Sequence, residues 1–151
     1  MKFRILASFM LLPFVSLVFA GIHPTTKEEV VSSFKTIDQL IDEGKENVLH
    51  VYAAALEIQK RAVTQYQADS IAKKIISTSR ISEKDFEQLR EHYNFAEISI
   101  VWAVSQISKV PLKQLFSEVE NASIEKIMDK YGAECEYIIS EIGKLNTAIN
   151  K

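Results

Sequence analysis

Three observations predict an all-α fold, a compact bundle of about six to seven helices. Beyond residue 26, apolar side chains recur at steps of three and four rather than two. Most of these runs begin just after a Ser, Thr or Asn able to cap a helix. No stretch alternates with period two over a strand's length and also carries turn residues at both ends, so no sheet is expected.

The first run places Val30, Val31, Phe34, Ile37, Leu40 and Ile41 on one helical stripe. Thr26 and Glu29 have capping-box spacing, and Gly44 suits the left-handed turn that closes a helix, which predicts a helix over 27–43. After Asn47 a second run uses Val48, Tyr52, Ala55, Leu56, Gln59, Ala62, Val63 and Tyr66, then Ile71, Ala72, Ile75 and Ile76. The step from Tyr66 to Ile71 breaks the rhythm. It predicts either a kink near Asp69 or two helices with Asp69 as the second N-cap, the unit ending in Ser77, Thr78 and Ser79.

Ser82, with Glu83 and Asp85, is expected to cap a short helix carrying Phe86, Leu89 and Tyr93. Asn94 and Glu97 then open a helix over 95–108, apolar nearly all round, which marks it as the central one. Pro111 opens a segment with Leu112, Leu115, Phe116 and Val119, and Ser123 caps 124–131, stopped by Gly132. The last helix runs from 133 or 134 to 149, with Cys135, Ile138, Ile139, Ile142, Leu145 and Ile149 on one side and Gly143 as a weak point. The C-terminal half therefore reads as short helices packed in a helix-turn-helix-like way, inside a single domain over 21–151.

The N-terminus has a different character. Lys2 and Arg4 precede a stretch from Ile5 to Ile22 with no charged side chain, ending in Val18-Phe19-Ala20. This order of basic, apolar and small residues predicts a signal peptide over 1–20, cut between Ala20 and Gly21. An uncleaved anchor is the alternative, since about 18 apolar residues just span a bilayer. Pro13 within the run and the capping chemistry soon after Ala20 favour cleavage. The expected location is periplasmic or secreted, in a bacterium, with no membrane association after removal of the signal.

Removal of Lys2 and Arg4 takes Lys+Arg from 18 to 16 against 20 Asp+Glu, so the net charge moves from -2 to -4. Nucleic acid is excluded as a partner on this balance, the Lys60-Arg61 and Lys73-Lys74 pairs reading as solvated helix faces. Cys135 is the only cysteine, so stability must come from packing and not from an internal disulfide. It is expected to be buried and inert on its apolar stripe, because no cation stands immediately beside it to lower its pKa. Trp102 reads as core.

The chain has few ingredients for a catalytic or metal site. The residues three before His50 and His92 are Asn47 and Leu89, so the Glu-x-x-His pairing of di-metal bundles is missing, and His23 falls in a lead expected to be disordered. There is no Gly-x-Ser-x-Gly elbow and no glycine-rich phosphate loop. Secreted helical chorismate mutases grip two carboxylates with several arginines. Here only Arg61, Arg80 and Arg90 follow the cut, in none of that family's motifs. No metal and no cofactor are expected.

Two segments resemble known families. Ser123-Ile124-Glu125-Lys126-Ile127-Met128-Asp129-Lys130-Tyr131-Gly132 resembles the first helix of a LysM module. That resemblance implies peptidoglycan or chitin binding, and a strand on either side of a helix pair. Ile100 and Ala103, Ser108-Lys109, Leu115 and Phe116, Asn121, and Ser123 to Ile127 leading to Tyr131-Gly132 resemble a pattern of uncharacterised exported bacterial helical proteins. In that pattern a glycine stands where this chain has Lys109, and a tryptophan where it has Ile124. The resemblance implies architecture and brings no activity.

The expected role is a binding or interaction protein whose partner is another protein or a cell-envelope component. A small secreted enzyme with a non-local site is the alternative, and it predicts a deep pocket where His50 or His92 meets a carboxylate or serine. A peptidoglycan-binding module is the third reading.

Overall fold

The computed structural model describes residues 22–149; the expected signal peptide and both cleavage residues, Ala20 and Gly21, lie outside the described residues. Among the described residues there are eight helices and no strand: α1 (Lys27–Asp42), α2 (Glu46–Arg61), α3 (Gln65–Ser79), α4 (Glu83–His92), α5 (Phe95–Ser108), α6 (Leu112–Val119), α7 (Ile124–Lys130) and α8 (Cys135–Ile149). The fold is all-helical as expected, with eight helices in place of six to seven.

The second apolar run divides into α2 and α3, and the break comes at Thr64, before the expected Asp69. Thr64 is extended (φ -105°, ψ 156°), its hydroxyl accepts from the Gln67 N–H, and the Gln67 side chain accepts from the Thr64 N–H. That reciprocal box satisfies two donors at the start of α3. Asp69 sits inside α3, where its carboxylate accepts from Gln65 Nε2 at 2.9 Å. Tyr66 continues the stripe of α2 by spacing, yet it is 73% exposed, while Ala68, Ile71, Ala72 and Ile75 are fully buried on α3.

The other caps stand where the residues placed them. Thr26 with Glu29 and Asn94 with Glu97 form complete capping boxes, and the Ser82 and Ser123 hydroxyls accept from backbone N–H groups three residues on. Gly44 (φ 67°) and Gly132 (φ 59°) adopt the left-handed conformation that reverses the chain after a helix. Pro111 stands as the N-cap residue of α6, one position before the first turn that it was expected to open.

α5 is the centre of the molecule. Ten of its fourteen residues are buried, and it packs against α2 and α8, with α6 and α7 against its remaining sides. Trp102 is 2% exposed and donates its indole N–H to Thr78 Oγ1 at 2.9 Å. The hydroxyls of Ser99 and Ser105 donate to the carbonyls of Phe95 and Val110, which satisfies both buried serines of this apolar helix. One continuous apolar cluster joins residues of α2 through α8.

α1 stands apart from that cluster. It contributes no residue to it, and packs chiefly on α2 through Ser33 and Leu40, its only buried residues.

Candidate binding surface

At 3.6 residues per turn, Val30, Phe34, Ile37 and Ile41 follow one another at steps of four, three and four, the spacing of a coiled-coil seam. Of the apolar stripe read from the sequence, only Leu40 is buried. Phe34 is 50% exposed, Ile41 56% and neighbouring Val31 54%, while Val30 and Ile37 are only partly covered. The buried positions Ser33 and Leu40 lie about 80° round the helix from the middle of the seam. α1 therefore rests on the bundle by its flank and leaves its most apolar face to water.

Polar contacts hold it in that attitude. Gln59, fully buried on α2, donates to Ser33 Oγ at 2.9 Å, and its Oε1 accepts from the Ala96 N–H of α5 at 3.3 Å. Arg90 of α4, whose side chain is 0% exposed, donates from Nη1 to Glu29 Oε1 (2.5 Å) and from Nη2 to Glu29 Oε2 (2.9 Å). Its guanidinium also donates to the carbonyls of Tyr93 (3.0 Å) and Pro24 (3.4 Å), and lies 4.3 Å from the centre of the Phe95 ring. Burial acts to raise the Glu29 pKa, but the bonds from Arg90 and the Thr26 N–H outweigh it and hold the carboxyl below its ordinary range.

The lead into α1, expected to be disordered, is tied down among the described residues. Ile22 is buried and its carbonyl accepts from Gln65 Nε2 at 2.8 Å, while the Thr25 N–H donates to the Ala62 carbonyl at 2.7 Å. His23 itself is exposed.

The two remaining histidines occupy different settings. His50 is exposed on α2. His92 lines a cleft of about 330 Å³ between α4 and α6, together with Glu91, Ser117 and Glu120. A Lys113–Asp85 ion pair (3.1 Å) joins the two helices, and the Tyr93 and Phe116 rings meet at a tilt of 44° with centres 4.8 Å apart. Among the described residues no hydrogen bond links His92 to Ser117 or to a carboxylate, so the cleft lacks the nucleophile–base contact of an assembled catalytic site.

Cys135 is a free thiol, half-buried where the structure was expected to bury it, because it begins α8 at the edge of a groove of about 710 Å³ shared with Asn47, Met128 and Asp129. Burial and the Asp129 charge push its pKa up, which keeps it in the unreactive thiol form. Among the described residues no group of three His, Cys, Asp or Glu is placed to hold a metal ion. No helix among them is long and apolar enough to cross a membrane.

No family model matches the chain, and no curated protein or solved structure is similar to it. A LysM fold needs strands about its helix pair, and here 112–119 is helix and the chain continues through 135–149 as another helix. Sequence reasoning also passed over Arg90 and Glu29 as partners. They lie 61 positions apart, and the only signal was the capping-box role of Glu29.

Proposed function

We propose that this chain is an exported binding protein of the cell envelope, acting in the periplasm or outside the cell, and that the exposed face of α1 is its working surface. The half-open seam of Val30, Phe34, Ile37 and Ile41 carries the reading. Exposed large apolar residues lined up at helical spacing fit a helix-on-helix recognition mode better than scattered surface residues do. The basic-apolar-small order of residues 1–20 supports export.

The test is a photo-crosslinking amino acid placed at Val31 in cells. A discrete adduct that disappears with Phe34→Asp supports the reading, and an absence of any Phe34-dependent adduct overturns it. Mass spectrometry of the same material reads the N-terminus, where a start at Gly21 is expected and an intact Met1 start counters export.

A small secreted enzyme is the second reading, favoured by His92 sharing a cleft with Ser117 and Glu120. It predicts turnover of a small substrate that His92→Ala abolishes.

A further inference from the structure

The cleft between α4 and α6 has two unlike ends. Lys113 and Asp85 join the first turns of the two helices, and Tyr93, at the end of α4, meets Phe116 beyond the middle of α6. Both helices therefore direct their C-terminal ends, the negative ends of their dipoles, towards the same end of the cleft. That end also carries two carboxylates. Glu91 stands in the last turn of α4 and Glu120 is the C-cap residue of α6, both exposed and both lining the cleft. A carboxylate at a helix C-terminus opposes the dipole, so helix stability explains neither position.

Among the described residues neither side chain has a hydrogen bond or an ion pair. The cations of the neighbouring turns are engaged elsewhere: Lys113 on Asp85, Lys130 on Glu118, and Arg90 on Glu29 and the Tyr93 carbonyl. α6 has no basic residue in its last turn. Burial, and then the charges of Glu120 and Glu97, push the Tyr93 pKa up, which sets the Glu120 carboxylate within range of that ring.

We infer that this cleft binds a small organic ammonium, its cationic group held at the Glu91 and Glu120 end and its apolar body laid on Leu89 and the Tyr93 ring. An ammonium is attracted by carboxylates, by the negative ends of helices and by the face of a tyrosine ring. An anionic ligand would meet all three as repulsion. The Tyr93 ring is partly exposed, and Phe116, 3% exposed, packs against it and fixes its place. The volume of about 330 Å³ lies at the small end of ligand pockets, and the Lys113–Asp85 pair spans the other end, so the ligand is short. A bare metal ion fits less well, because no three His, Cys, Asp or Glu side chains among the described residues converge on one point. The cleft is separate from the α1 face, so the crosslink at Val31 bears on that surface alone.

Benzylammonium and benzyl alcohol share a ring and a shape and differ in charge. Each is titrated into the protein as the cell processes it, at pH 8, where imidazoles are neutral, with amide NMR signals followed residue by residue. Benzylammonium should shift the Tyr93, Ser117 and Glu120 amides saturably, and benzyl alcohol should bind roughly 10-fold more weakly. Glu91→Gln and Glu120→Gln should each weaken benzylammonium about 3-fold, and together about 10-fold, with benzyl alcohol unaffected. Both substitutions relieve a charge opposed to a helix dipole, so Tm should hold or rise, and weaker binding is then not loss of fold. Shifts that avoid the cleft, equal binding of the alcohol, or an unchanged affinity in the doubly substituted chain each overturn the inference. Calcium titrated alone should leave the same amides in place; a calcium-dependent shift there makes the site a metal site and overturns it too.

Discussion

Replacing Glu29 with alanine removes the anchor that holds α1 on its flank. The carboxylate accepts from the Thr26 N–H at 2.8 Å and from both terminal nitrogens of Arg90. Without it, a guanidinium with no exposed side-chain surface keeps only the Pro24 and Tyr93 carbonyls and the Phe95 face. Removing one member of a buried ion pair costs about 3–5 kcal/mol, and the 20% exposure of Glu29 argues for the lower end, about 3 kcal/mol. In a domain of this size that corresponds to a fall in Tm of about 10 °C. Thermal unfolding followed by circular dichroism at neutral pH measures it. The Glu29 pKa is depressed on folding, so its contribution is complete above the ordinary carboxylate range and is lost as pH falls through the folded-state value. The gap between parent and variant must therefore narrow in acid. A Tm within about 2 °C of the parent at neutral pH, less than 1 kcal/mol, refutes the anchor. A gap that stays constant into acid refutes the ionic part of it. Glu29→Leu combined with Arg90→Met should lose less than Glu29→Ala alone, since no charge is then left unpaired.

Three more expectations concern the interior and the helix ends. Burial raises the pKa of Glu97, helped by the Glu29 charge and opposed by its bond to Asn94, so the ionised group opposes folding at neutral pH. Glu97→Gln keeps the capping acceptor and should raise Tm at pH 7, with the difference vanishing below the ordinary carboxylate range, as thermal scans across pH will read. Lys109 ends α5 at φ 62°, a conformation that costs an L-residue about 1 kcal/mol, so Lys109→Gly should raise Tm by about 3 °C. Trp102→Phe loses the bond to Thr78 and part of the buried ring, and urea titration should show a loss of about 2 kcal/mol.

Where local chemistry determines an element, its bounds could be read from the residues. Thr26, Ser82, Asn94 and Ser123 each accept a backbone N–H within their own first turn, so a window of four residues holds the signal. The same holds for α5, whose apolar surround has one interpretation. Lys109 falls where the resembling pattern has glycine, and the backbone there is left-handed in spite of the substitution. The break at Thr64 was misplaced because Tyr66 is apolar by type and solvent-exposed in fact. Periodicity alone has no means of separating these. The role of the α1 face was undecided for a related reason: a stripe states that a surface is apolar, and leaves open whether the bundle covers it. Arg90 was hidden more deeply, since a charged residue joins the interior only through a partner far away in the chain, and no short window contains both.

The arrangement of α2 has a consequence for the nascent polypeptide. It is made early, yet its most extensive contacts are with α5 and with α8, the most C-terminal of the described helices. Until α8 emerges from the ribosome, Val51, Ala55 and Ile58 on one side and the greasy cylinder of α5 on the other lack their lid. A chain halted at Gly132 is thus a sticky intermediate, not a smaller folded unit, and a premature stop there leads to aggregation. Those apolar faces therefore stay vulnerable until α8 has been made.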